Sequence, residues 1–253
     1  ETEESVFTLD EKGRPIDVRP ADRGHGERII EDCMIAANVC VADLMKKREL
    51  PCIYRIHEEP QAKRMKNFVQ MASLLGVPFR VRGSVTPKAV QKYLRDAENL
   101  DAYPVISKQM LRCMQKAKYD PSCVGHFGLA EPEYLHFTSP IRRYPDMLVH
   151  RLLSHYLAGG ESAKAEVYAK LCKYASEREI VAAEAERSSI KYKLVEFMQD
   201  KVGYTFGGNV SGLTEWGMYV EIEPTRIEGM VPLRDIRSDF FEFDADHYRL
   251  VGR

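Results

Sequence analysis

Residues 136–146 read HFTSPIRRYPD: two hydroxyls, Thr138 and Ser139, are followed within a few positions by the adjacent arginines Arg142 and Arg143 and by Asp146, and an apolar helical run begins straight afterwards. Arginines at a helix start face the positive end of the helix dipole, which costs a few tenths to about 1 kcal/mol. An anion held there would reverse that sign, because guanidinium forks, hydroxyls and free backbone N–H groups would converge on it. His136 opens the same stretch. Chemically this is a phosphate site. The plainer alternative pairs one arginine with Asp146 and leaves the other in water.

Three other groups of residues could take part in chemistry. In AAEAERSSIKY, the carboxylates Glu184 and Glu186 interrupt an Ala-rich helical segment and could face the arginine loop, or simply form a solvated face. In ERIIEDCMIAAN, Glu31 or Asp32 could accept from a ligand hydroxyl, although acids near a helix N-terminus are common for dipole reasons alone. Phe206, Trp216 and Tyr219, with Phe240 and Phe241 beyond, are interleaved with Lys and Arg and could stack nucleobases. In a small barrel such aromatics also serve as core. His126, His136, His150 and His155 form no metal motif, since His150 and His155 miss the one-turn spacing of a zinc helix by one residue. No metal ligand set is expected in this chain.

The elements that must position these residues follow from hydrophobic period and punctuation. Residues 27–49 repeat Ile30, Met34, Ala37, Val41 and Leu44 at steps of three and four, which predicts a helix with those residues on its buried face. A short strand lies in PCIYRIHEEP, and residues 61–75 are helical up to Gly76. Thr86 caps a helix that has Pro87 at its first position and runs to about Leu100, and 104–118 is another. Residues 119–144 carry no sustained period, a length that marks a functional segment. Around the arginines two settings are open. In one, Ser139 caps a helix whose second turn is kinked at Pro145. In the other, 139–144 is a single turn and the main helix starts at Pro145. Residues 161–202 contain neither Gly nor Pro and make one long helix or two in tandem. Beyond Gly203 the pattern changes to short alternating runs separated by turn signals, the mark of a small barrel. A strand at 6–9 with a turn at Lys12-Gly13 opens the chain.

The expected class is therefore α+β, a mainly helical part at 1–202 followed by a small β-barrel at 203–253. A formal net charge of -1 means that any basic surface must be local. The six cysteines include no C-x-x-C pair and sit mostly in apolar helical surroundings, so free thiols are expected rather than disulfides or zinc. No apolar run approaches membrane-spanning length and no signal peptide opens the sequence, which points to the cytoplasm.

HFTSPIRRYPDMLVHRLL resembles the signature segment of the ribonuclease II and ribonuclease R (RNB) family, hydrolytic exoribonucleases that shorten single-stranded RNA from its 3′ end. RIIEDCMIAANVCVA and AEAER are similar to that family's segments in the same order. GYTFGGNVSGLTEWGMYVEI with EGMVPLRDI resembles the S1-type OB barrel that follows its catalytic domain, and the RRYPD form lies nearer the ribonuclease R branch. The resemblance implies that Arg142 contacts the scissile or terminal phosphate and that Glu186 holds the terminal nucleotide opposite it, with Glu184 in that place if the alignment slips by two. Glu31 would read a ribose 2′-hydroxyl. His136, Thr138, Ser139 and Arg143 would line the RNA, and Phe206, Trp216 and Tyr219 would meet it on the barrel. The implied cofactor is Mg²⁺ and the implied state is a monomer.

One departure stands out. The aspartate run that binds Mg²⁺ in this family has no counterpart here, a stacking tyrosine from that region is missing, and the barrel stops near 50 residues. The expectation is a fragment of a longer nuclease that binds RNA weakly and cuts nothing by itself. The rival is an RNA-binding regulator that has lost its metal site.

Overall fold

The computed structural model describes residues 5–22, 24–80, 83–162, 164–245 and 247–253. An antiparallel hairpin comes first, β1 (Ser5–Leu9) and β2 (Pro15–Pro20). Its turn is fixed by Asp10, whose carboxylate accepts from the backbone N–H of Lys12 and Arg14. Helix α1 (His25–Lys47) follows, then β3 (Tyr54–Ile56), α2 (Ala62–Leu74), α3 (Pro87–Ala97), α4 (Tyr103–Cys113) and β4 (Lys118–Asp120). Thr86 caps α3 as expected, its Oγ1 accepting from Ala89 N at 3.2 Å. The helix expected over 104–118 stops at Cys113, because residues 118–120 are used as a strand against β3.

Helices α5 (Tyr144–Leu157) and α6 (Ala165–Gln199) complete the helical part. The long Gly- and Pro-free stretch is thus a single helix. It packs on β2, β4 and α5, and Lys193 reaches the hairpin turn at Gly13 O, 2.6 Å away. Among the described residues two apolar cores result. One joins α1, β3, β4, α5 and α6 through Met45, Ile53, Ile56, Val149 and Cys172. The other joins α2, α3 and α4 through Phe68, Tyr93, Ile106 and Met110.

The buried face of α1 differs from the expected one. Asn38, Ala42 and Met45 are buried, whereas Ile30 is 58% and Met34 37% exposed. The core reaches only the C-terminal half of the helix, so periodicity found the helix but not which turns are covered.

After α6 the chain forms strands β5 (Gly208–Leu213), β6 (Gly217–Ile222), β7 (Ile227–Pro232), β8 (Phe241–Asp244) and β9 (Arg249–Gly252), with a short 3₁₀ helix at Leu233–Asp235. The first three form an antiparallel meander with a bulge between Val210 and Gly212, and among the described residues the last two pair only with each other. Among the described residues no ladder closes these strands into a barrel. Among them, too, no helix is long and apolar enough to cross a membrane.

Candidate nucleic-acid interface

The second of the two settings for the arginine loop is the one adopted. Ser139 O accepts from the N–H groups of Arg142 (3.3 Å) and Arg143 (3.0 Å), closing a single turn. Arg143 then stands at the N-cap of α5, and Pro145 falls within its first turn, where a missing N–H costs no helical bond.

Asp146 organises the loop from beneath. It is fully buried, and its Oδ2 accepts from Ser139 N (2.8 Å) and from Arg143 Nη2 (2.8 Å). Burying a carboxylate is costly unless a paired charge and hydrogen bonds compensate. Here one guanidinium and one amide do so. Arg143 is consequently a structural arginine as well as a candidate contact. Arg142 differs in kind. It is exposed beside Ile141, which is wholly in solvent, and among the described residues no carboxylate lies within ion-pair distance of it. Asp146 Oδ1 and Arg143 Nε are buried without a hydrogen-bond partner among the described residues, so the loop retains unused polar capacity next to the free cation.

The irregular segment 119–143 is held by an aromatic and histidine cluster. His136 Nδ1 and Tyr119 Oη lie 2.9 Å apart, and the His136 ring meets Tyr134 edge-on at 5.8 Å. Tyr134 Oη accepts from Asn38 Nδ2 (3.0 Å), and Asn38 Oδ1 accepts from Phe137 N (2.9 Å), so one buried amide on α1 fixes both sides of His136. Arg55 lies over the Tyr119 ring at 4.8 Å and pairs with Glu179 at 2.6 Å, tying β3 to α6. His150 stacks on Phe137 at 3.9 Å and is bonded to its carbonyl. At Gly125 (φ 88°) a Cβ would sit 3.2 Å from two carbonyl oxygens, so the turn that leads into this cluster requires glycine.

Burial, followed by the nearby Arg143 and Arg55 cations, pulls His136 down to about 2. Burial also lowers His126 to about 4 and raises Tyr119 to about 12. At neutral pH His126, His136 and Tyr119 are therefore uncharged, and the positive charge of the loop belongs to its arginines. His136 is a neutral support beneath the loop. Thr138 and Ser139 are half-buried at its start.

The remaining predicted residues lie elsewhere. Glu184 and Glu186 are both exposed on α6, and no hydrogen bond or ion pair among the described residues joins either to Arg142. Glu31 is exposed in the N-terminal half of α1 and takes part in an interaction there. Trp216 is 72% and Phe206 41% exposed, while Tyr219 is half-buried in β6 opposite Gly212 and Met230. Among the described residues no three His, Cys, Asp or Glu side chains converge as a metal site would require. The cysteines are free thiols; Cys52 and Cys172 are buried and pushed up to about 12 by desolvation. Sequence reasoning missed Asn38 and Tyr119. The signal for Asn38 was a lone amide on an otherwise apolar helix face.

The model of the RNB domain matches residues 1–159, which include α1, the irregular segment and the arginine loop. The chain belongs to the RNB family. Ribonuclease R 1 of Lactococcus lactis is 38% identical over the whole chain, which spans 32% of that relative. The apo form of Mycoplasma genitalium RNase R superimposes over all of this RNB chain with a TM-score of 0.93 at 26% identity, the match covering 41% of the solved chain. The same enzyme in complex with ribose-methylated single-stranded RNA gives a TM-score of 0.92. The mixed helix-and-sheet fold is thus that of RNase R, and the chain spans about a third of the length of the curated relatives it matches.

Proposed function

We propose that this chain is the RNA-gripping segment of a hydrolytic 3′-to-5′ exoribonuclease that degrades single-stranded RNA to nucleoside 5′-monophosphates. The observation that carries the reading is the division of labour in the arginine loop. Arg143 is held by buried Asp146, while Arg142 stands exposed at the same helix start with no acidic partner among the described residues. A guanidinium so placed binds a backbone phosphate and stabilises the charge that develops on it during hydrolysis, an effect worth roughly 3 to 4 kcal/mol for one well-aimed donor. Glu186, with Glu184 as the alternative, holds the terminal nucleotide; Glu31 reads a ribose 2′-hydroxyl; His136, Thr138 and Ser139 shape the wall around the phosphate. Residues 203–253 form a separate S1-like unit on which Phe206, Trp216 and Tyr219 stack bases. The relative solved with single-stranded RNA supports RNA as the ligand.

Mg²⁺, which such hydrolysis uses, does not fit the residues described here, since no carboxylate cluster forms among them. The metal is assigned mainly to residues outside this chain, and the protein is taken as a cytoplasmic monomer. The same lack of a cluster is what a non-catalytic RNA-binding protein of this fold would also show.

The test is a gel assay of 5′-labelled single-stranded RNA with Mg²⁺. It compares this chain with a form extended N-terminally through the family's aspartate region. A descending ladder from the longer form alone supports the reading. A ladder from this chain alone would place the chemistry within it, and no ladder from either form would favour the RNA-binding protein.

A further inference from the structure

A cavity of about 430 Å³ lies between α2, α4 and the β8–β9 turn, on elements that do not include the arginine loop. Its rim carries two guanidiniums, Arg64 from α2 and Arg112 from the last turn of α4, both exposed. They are neighbours: Arg64 Nη1 lies 3.5 Å from the backbone oxygen of Arg112. Asn67 and Gln70 add amide donors on the same face of α2, and none of the described lining residues is acidic. Lys63 and Lys66 flank Arg64 in sequence and are also exposed. Two forked cations and two amides line the cavity with no carboxylate among the described lining residues, a donor set that suits an anion with several acceptor oxygens.

The far wall is built to hold its position. Tyr248 Oη accepts from Gln109 Nε2 (3.0 Å) and from Leu213 N (3.3 Å), joining α4 to β5 through the β8–β9 turn. Beside it, Lys108 pairs with Glu228, and Ser211 donates to the same carboxylate at 2.5 Å. The cavity therefore sits at the seam between the helical part and the strands, with a fixed wall on each side.

We propose that this cavity is a second anion subsite, which takes backbone phosphate of single-stranded RNA on Arg64 and Arg112 and so anchors the strand away from the arginine loop. This rests on RNA being the ligand of the protein. It adds a strand-holding point that also reads the relative position of the two parts, because Tyr248 of the strand part accepts a hydrogen bond from Gln109 of the helical part.

The test is equilibrium binding of a short fluorescent oligoadenylate to the whole chain over a range of salt. It compares the unaltered protein with Arg64→Gln/Arg112→Gln, and with Lys88→Gln/Lys92→Gln on α3 as an equal loss of charge outside the cavity. Each neutralised phosphate contributes about 0.7 to the logarithmic salt slope of a single strand, so losing both contacts lowers the slope by about 1.4. The cavity pair should weaken binding about tenfold at low salt with that slope change, and the α3 pair should do neither. Asn67→Asp, which sets a carboxylate in the cavity, should weaken binding in the same direction, and an unchanged urea midpoint would separate this from misfolding. Equal effects from the two pairs, or none from the cavity pair while Arg142→Ala still weakens binding, would overturn the subsite and leave the RNA reading standing. No binding by the unaltered chain would overturn both.

Discussion

Arg143 Nη2 and Asp146 Oδ2 lie 2.8 Å apart, and this part-buried pair, with its carboxylate fully enclosed, fixes the turn that presents Arg142 to solvent. Two adjacent arginines in one motif therefore have separable jobs. One is held by the fold, and the other is exposed with no ion-pair partner among the described residues.

The first consequence concerns stability. Asp146→Ala leaves Arg143 and Ser139 N–H without their acceptor in a buried setting. Breaking such a pair from one side costs about 3 kcal/mol or more, and urea denaturation should show that loss. Arg142→Ala, at an exposed position, should stay within about 0.5 kcal/mol of the parent. Equal losses from the two substitutions would remove the distinction between the arginines.

A second consequence is a pH dependence. His57, His126 and His136 all fold with pKa values below the ordinary 6.5, chiefly through burial, so the unfolded chain binds more protons than the folded one as acid is added. The stabilisation they contribute is whole above about pH 6.5. It is lost as pH falls, down to about 4 for His126 and about 2 for His136. Each such group contributes a slope of about 1.4 kcal/mol per pH unit. His136→Gln should therefore flatten the plot of unfolding free energy against pH by about one group's worth between roughly pH 6 and pH 4. An unaltered slope would mean that His136 is not buried as a neutral ring.

Asn38 offers a third. It bonds Tyr134 Oη and Phe137 N from a position that is 3% exposed. Asn38→Leu fills similar volume but orphans both partners, at a cost of about 1 to 3 kcal/mol each where no water reaches them. Hydrogen exchange should show the amide of Phe137 losing protection ahead of the α5 core. Exchange that rises equally in both would assign the effect to general destabilisation.

On the strand side, Trp216 is exposed in the β5–β6 turn. Trp216→Ala should lower single-stranded RNA affinity by about 1 to 3 kcal/mol if a base stacks there, with the urea midpoint unmoved. Unchanged affinity would remove Trp216 from the interface.

Much of this was legible in the sequence where the signal is local. The Thr86-Pro87 cap, the Gly- and Pro-free α6 and the motif around Arg142 are written in adjacent residues. Even the alternative that one arginine pairs with Asp146 could be stated from the sequence, because the partners are three positions apart. What could not be read is set by contacts between distant segments. Nothing near Asn38 says that it meets Tyr134, 96 residues on. The period of α1 does not say that Ile30 lies in solvent while Met45 is sealed. The end of α4 at Cys113 depends on residues 118–120 finding β3. In the strands, alternation gives the elements but not their pairing, so the separation of β8–β9 from the meander was invisible.

The most direct measurement is the rate of the descending RNA ladder in the N-terminally extended form carrying Arg142→Ala, read beside its urea midpoint. Loss of one phosphate-stabilising donor should slow hydrolysis by about 10² to 10³ while leaving the midpoint in place. A ladder that runs at the unaltered rate would show that Arg142 does not touch the phosphate, and the function proposed for this loop would fall.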